Sequence, residues 1–185
     1  SIIDILFREQ MVDARDDEQF MFTHVLLRES LQRSARDGGR VKKWHSLCAD
    51  TLEHFPDIET MRLAEHYYAA GRYGEAATRF GTAARQYAEV SDYAATERAV
   101  TKWASALRHS GHRHDSKDWL ALRARWTVCK RVQGQRLSAE RHAKRNIILA
   151  RQTDHAAETI RCLFEMVKIV FVYDGLRAAL DIIDE

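Results

Sequence analysis

Residues 60–90 read TMRLAEHYYAAGRYGEAATRFGTAARQYAEV. Apolar residues recur at helical spacing on both sides of Gly71: Leu63, Ala64 and Tyr67 before it, then Tyr73, Ala76, Phe80 and Ala83 after it. Such spacing gathers each set onto one helix face, and glycine suits the tight turn between them. The stretch predicts two antiparallel helices, near 58–70 and 73–90. The alternation continues with helices predicted near 92–110, 116–133, 137–153 and 155–173, and a last one from about 176. Breaks fall at Ser91, Gly111, Gly134, Thr153-Asp154 and Gly175, residue types that cap helices or make αα turns. Helix pairs of this kind bury their apolar faces by stacking on neighbouring pairs, so residues 57–185 are expected to form an all-α solenoid of helical hairpins.

Upstream of Pro56 the pattern changes. A short apolar helix, Ile2 to Phe7 and onward, runs into Met11-Val12-Asp13-Ala14-Arg15 and an acidic turn, Asp16-Asp17-Glu18. Phe20-Met21-Phe22-Thr23 is β-prone, and an amphipathic helix follows from about His24 to Ser34. Helix, strand, turn, strand and helix together resemble the back half of a winged helix. After Gly38-Gly39, Val41 to His54 is expected to add a linking helix that shows Trp44, Leu47, Cys48 and Leu52 on one apolar face. The expected organisation is thus a partial winged helix with a short β-hairpin over 1–55, followed by the helical array. The chain reads as a piece that begins inside one domain and stops inside a helix.

Composition agrees with helices, since the 185 residues include one proline and eight glycines, the latter mostly at predicted helix ends. Cys48, Cys129 and Cys162 are odd in number and far apart, which argues against a disulfide framework and for a reducing cytoplasm. The most apolar stretch, Ile160 to Tyr173, is interrupted by Glu165 and Lys168 and is too short to span a bilayer. Net charge is +2, but residues 101–151 carry thirteen Lys and Arg against Asp115, Asp118 and Glu140. This concentration points to an acidic partner.

Leu63-Ala64, Tyr67, Gly71, Tyr73, Ala76, Phe80 and Ala83 resemble a tetratricopeptide repeat (TPR). The resemblance implies that small Ala64 lets two helices approach, Gly71 makes the turn, Tyr73 covers it, and Ala76, Phe80 and Ala83 interlock with the next helix. Weaker echoes lie at Tyr93, at Gly134 with Leu137 and Ala143, and at Tyr173-Asp174-Gly175 with Ala178 and Ala179, without a constant period. A second resemblance joins Phe22-Thr23-His24-Val25-Leu26-Leu27-Arg28-Glu29, His45, Ala49, Leu52-Glu53, Ala64-Glu65-His66-Tyr67 and Ala70-Gly71. This pattern is similar to the link between winged helix and helical repeats in bacterial STAND signalling ATPases. Those include maltose-operon-activator-like regulators and predicted ATPases attached to nucleotide cyclases or Ser/Thr kinases. The resemblance implies a multidomain regulator whose repeats sense an inducer or hold a partner. No G-x-x-x-x-G-K-[ST] phosphate loop occurs in these residues, so nucleotide chemistry is expected outside them.

Candidate chemistry is sparse. His109, His112, His114 and Asp115 could hold a transition metal, but no Cys-x-x-Cys accompanies them and the reading is a solvated turn. His24 with Glu29, His45 near Cys48, and His66 beside Glu65 lack a nucleophile, base and orienter set. His24 and His45 stand where the resembling family also places histidine, and the resemblance implies that they pack between the winged helix and the first repeat. Catalytic, cofactor and metal residues are therefore all expected to be absent. The partner-binding candidates are Arg123, Lys130, Arg131, Arg141, Lys144 and Arg145, against the plain alternative of a solvated outer face with Trp119, Leu122, Trp126 and Cys129 as core. The first helix carries Asp4, Arg8 and Glu9, and the wing tip is acidic, which disfavours DNA binding there. The functional expectation is a non-catalytic scaffold with a shallow groove for a protein, peptide or small inducer. The alternative is a nucleic-acid-associated regulator acting through 101–151.

Overall fold

A computed structural model describes residues 2–16, 19–153 and 155–184. Its elements are α1 (Ile2–Arg8), β1 (Val12–Asp16), β2 (Gln19–Phe22), α2 (Val25–Asp37), α3 (Val41–Leu52), α4 (Thr60–Ala69), α5 (Tyr73–Glu89), α6 (Tyr93–His109), α7 (Lys117–Val132), α8 (Arg136–Gln152), α9 (Ala156–Asp174) and α10 (Leu176–Asp184). The helices pack as sequential antiparallel pairs. From α3 onward each one packs on the next, and α7 also touches α9. Asp17, Glu18 and Asp154, which were expected in turns, lie outside the described residues.

The helix ends follow from the turn residues. Gly71 takes φ +82° after α4, a left-handed conformation that costs glycine nothing. Ser91 makes the equivalent exit from α5 at φ +60° without that advantage. Asp92 then caps α6, its carboxylate accepting from the Ala95 backbone N–H at 2.9 Å.

The main core runs through α3 to α7, and the apolar residues of the 60–90 stretch stand at its centre. Ala64 and Ala76 are fully enclosed, and Leu63, Tyr67, Phe80 and Ala83 are buried beside them. Small side chains at Ala64, Ala76, Ala83 and Ala84 bring the backbones together, and Tyr67 and Phe80 fill the remaining space. Trp119 and Leu122 extend this core into α7, with Trp126 packed against it. A second cluster, Ala139, Ala143, Met166, Ile169, Val170 and Ala179, joins α8, α9 and α10. Asn146 bridges the region between, its side-chain N–H group donating to the Leu120 carbonyl at 2.9 Å and contacting the Cys162 sulfur at 2.8 Å.

Arg72 fastens α3 to the array. It pairs with Asp50 of α3 and Glu75 of α5 and lies over the Tyr67 ring, 4.6 Å from its centroid. Arg79 pairs with Glu53, and Lys102 of α6 with Glu65 of α4.

The N-terminal unit contains the expected antiparallel hairpin, with Val12 opposite Phe22 and Ala14 opposite Phe20. Its described core is small, Val12 and Ala35, and the apolar side chains of Val25, Leu26 and Leu31 on α2 are exposed. The expected apolar face of α3 is corrected. Leu52 of that face is partly buried against the core, but Trp44, Leu47 and Cys48 lie open, because α3 turns Ala49 and the partly buried His45 toward its neighbours. Leu137 is likewise 75 % exposed, since the buried face of α8 is Ala139, Ala143, Asn146 and Ala150 and Leu137 points the opposite way. Among the described residues no helix is long and apolar enough to cross a membrane.

Candidate binding groove

Alternate helices α5, α7 and α9 border a groove of about 480 Å³, with Trp103 of α6 and His112 of the α6–α7 turn completing it. Its shape begins in the sequence of α5. Gly74, Ala77, Thr78, Gly81, Thr82 and Arg85 recur every three or four residues, so they share one helix face. Five of the six are small, and a strip of small side chains facing other helices leaves a channel. The Thr78 and Thr82 hydroxyls donate to carbonyls one turn back, Gly74 and Thr78 respectively. Trp103 forms part of the floor: a Cβ at Gly81 would stand 3.0 Å from its indole, so the absence of a side chain at Gly81 admits the ring.

Charge is distributed unevenly along this groove. Near the N-terminal ends of α5 and α7, His112 Nε2 lies 3.5 Å from Asp118. Further along, Arg85 of α5, Arg125 of α7 and Arg161 of α9 line the same space. Arg85 stands at 4.0 Å from Glu89 on its own exposed face. Glu165, the other groove carboxylate, is occupied by Arg131 at 3.2 Å and Lys168 at 2.7 Å. Among the described residues Arg125 and Arg161 make no hydrogen bond or ion pair. Burial holds the Arg125 guanidinium below its ordinary value, and Arg161 pushes the same way while Glu89 opposes. It remains a cation, because guanidinium does not deprotonate near neutral pH.

The six basic candidates divide evenly. Arg123 is buried, donates to the His114 carbonyl at 2.8 Å and lies over the Trp119 ring. Lys130 pairs with Glu97 at 2.6 Å, and Arg131 with Glu165, so both tie α7 to a neighbouring helix. Arg141, Lys144 and Arg145 are exposed together on α8. Of the solvated outer face that was the plain alternative, the α7 half is turned inward, Arg123 to a backbone carbonyl and Lys130 and Arg131 to the carboxylates of Glu97 and Glu165. Arg85 and Arg161 carry no local sequence signal, being single arginines on amphipathic helices. What could have found them is spacing, since Arg85, Arg125 and Arg161 are separated by 40 and 36 residues, about one helical hairpin each.

The histidines separate as well. His109 stacks on Tyr73 with ring centroids 4.8 Å apart, His112 meets Ser110 Oγ at 2.7 Å, and His114 packs on Trp119. Asp115 accepts two hydrogen bonds from Arg113, which holds its carboxyl down at about 2. Among the described residues no three His, Cys, Asp or Glu side chains converge as a metal site would require. His24 is exposed, which corrects the packing role expected for it.

His45 does pack against the array, and meets His66 Nδ1 to Nδ1 at 3.1 Å. One nitrogen donates and the other accepts, so protonating both rings destroys the bond. His66 is depressed below its ordinary value of 6.5, first by burial, then by His45 and Arg62, with Glu65 opposing. The unfolded chain therefore takes up a proton at His66 before the folded one does. This contribution to stability is complete above about pH 6.5 and is lost as pH falls below it. The urea midpoint should drop between pH 7.5 and 5.5, and His66→Gln should flatten that slope. An unchanged slope in the variant would remove His66 as the cause.

No protein-family model matches this chain, and a search of curated proteins returns no match.

Proposed function

We propose that this chain is the TPR-like hairpin solenoid of a multidomain, cytoplasmic bacterial signal-transduction ATPase, preceded by a winged-helix remnant, and that it acts as a non-catalytic scaffold holding a protein or peptide partner. The observation that carries this reading is the groove bordered by α5, α7 and α9. A channel floored by small residues and built from alternate helices of sequential hairpins suits an extended segment of another chain. Its two carboxylates already have partners, Asp118 in His112 and Glu165 in Arg131 and Lys168, which favours holding over chemistry. The Cys129 and Cys162 thiols are pushed up by burial, which makes them poor nucleophiles. Nucleotide hydrolysis is assigned to residues outside this stretch. The exposed Arg141, Lys144 and Arg145 keep a nucleic-acid reading in play, but three cations on one helix supply few phosphate contacts once Lys130 and Arg131 are paired internally.

The experiment is a displayed peptide library selected on the intact chain and then measured on Thr78→Trp. Thr78 is exposed and lines the groove, so an indole there obstructs the channel without disturbing the core. The selected peptides should lose at least about tenfold in affinity for the variant. Equal affinity for both proteins would place the binding surface elsewhere.

A further inference from the structure

Three guanidinium groups from three different helices border one groove, and two of them make no hydrogen bond or ion pair among the described residues. Arg125 is the most informative. Its side chain is partly buried on the groove wall, and among the described residues it makes no hydrogen bond or ion pair. Elsewhere in the array partly buried cations are matched: Lys130 has Glu97, Arg131 has Glu165, and Arg72 has Asp50 and Glu75. A charge withdrawn from water without compensation is costly, and a neighbouring like charge increases the cost. Arg161 and Arg85 lie near enough to act on Arg125 in that sense. The nearby carboxylates relieve it only in part, since Glu89 acts on Arg125 without bonding to it and is exposed beside Arg85, and Glu165 already serves two cations.

We infer that the groove bordered by α5, α7 and α9 receives an acidic peptide segment, whose carboxylates are bound by Arg125, Arg161 and Arg85. The inference rests on the scaffold reading above and gives it a partner chemistry. Guanidinium presents paired donors that match a carboxylate, so each of these groups can bind an acidic side chain. The channel beside them, floored by Ala77, Gly81 and Ala121, admits a backbone with small side chains. A nucleic acid is the poorer fit. The aromatic floor, Trp103, is only 8 % exposed and offers no face for base stacking, and the free cations are confined to one part of the groove. Asp118 at the other end implies that the acidic residues of the peptide lie toward Arg161, with no carboxylate beside the start of α7.

The test uses the whole chain and a fluorescein-labelled octaglutamate peptide at about 0.15 M salt, where screening already suppresses weak surface attraction. Arg125→Gln and Arg161→Gln should each weaken binding about tenfold or more, and Thr78→Trp should do the same. Arg141→Gln with Arg145→Gln, which remove exposed cations of α8, should leave it unchanged. Circular dichroism of every variant should show that the helices remain, and Arg161, being exposed, provides the substitution least able to disturb folding. Unchanged affinity in both groove-arginine variants would overturn the inference. So would equal binding of labelled octaglutamine, displacement by equimolar inorganic phosphate, or tighter arginine-dependent binding of an oligothymidylate. A preference for neutral peptides that Thr78→Trp still abolishes would sink the acidic partner and leave the groove as a docking site. Peptide binding indifferent to Thr78→Trp would remove the groove itself.

Discussion

Phe80→Ala should destabilise the chain by about 3–5 kcal/mol, the largest effect of any single substitution considered for it. Phe80 is 1 % exposed and stands in the centre of the main core, edge-on to Tyr68 with ring centroids 6.2 Å apart. Its neighbours in that core include several alanines, among them Ala64, Ala76, Ala83 and Ala84, held by enclosing backbones. Short side chains cannot lean into the vacated space, so the cavity persists and its cost adds to the lost transfer energy. Equilibrium urea unfolding would measure it. A loss below about 1 kcal/mol would mean that α4, α5 and α6 close over the gap and that the core is not rigidly packed.

Glu165→Gln should cost about 2 kcal/mol and act through the opposite physics. Glu165 is 7 % exposed and accepts from Arg131 of α7 and Lys168 of its own helix. The amide keeps the shape and one acceptor but removes the charge, leaving two cations facing each other across the α7–α9 contact. The expected loss is kept below that of a fully buried pair, because the Arg131 and Lys168 side chains are 22 % and 39 % exposed. The penalty should shrink in 1 M salt, which the Phe80→Ala penalty should not. A double-mutant cycle with Arg131→Gln tests the assignment, and a coupling near zero would show that the pair contributes nothing across the two helices.

Helix order was legible because periodicity is local. The seven helices expected after Pro56 lie within about two residues of α4 to α10, since a run of apolar positions and a break at glycine or serine depend on nearby residues alone. The hairpin of β1 and β2 was legible for the same reason. What escaped was the direction of each face. Trp44, Leu47 and Leu137 have the character of core residues, yet exposure was decided by which neighbour stood opposite and which row of the helix it touched. Arg123, Lys130 and Arg131 were equally opaque. A basic residue reads as solvated until a carboxylate such as Glu97 or Glu165, more than thirty residues away, comes within hydrogen-bond reach.

By itself, the sequence determined that this chain forms sequential helical hairpins, where they begin and end, and that Ala64, Tyr67, Ala76 and Phe80 hold them together. These follow from the pitch of the helix and the conformational freedom of glycine. Only the tertiary structure decided which cations are consumed as internal ties and which are left facing the groove. Charge pairing depends on distances between helices, and Arg85, Arg125 and Arg161, scattered through 77 residues of chain, came to border one channel because alternate helices in such an array face the same side.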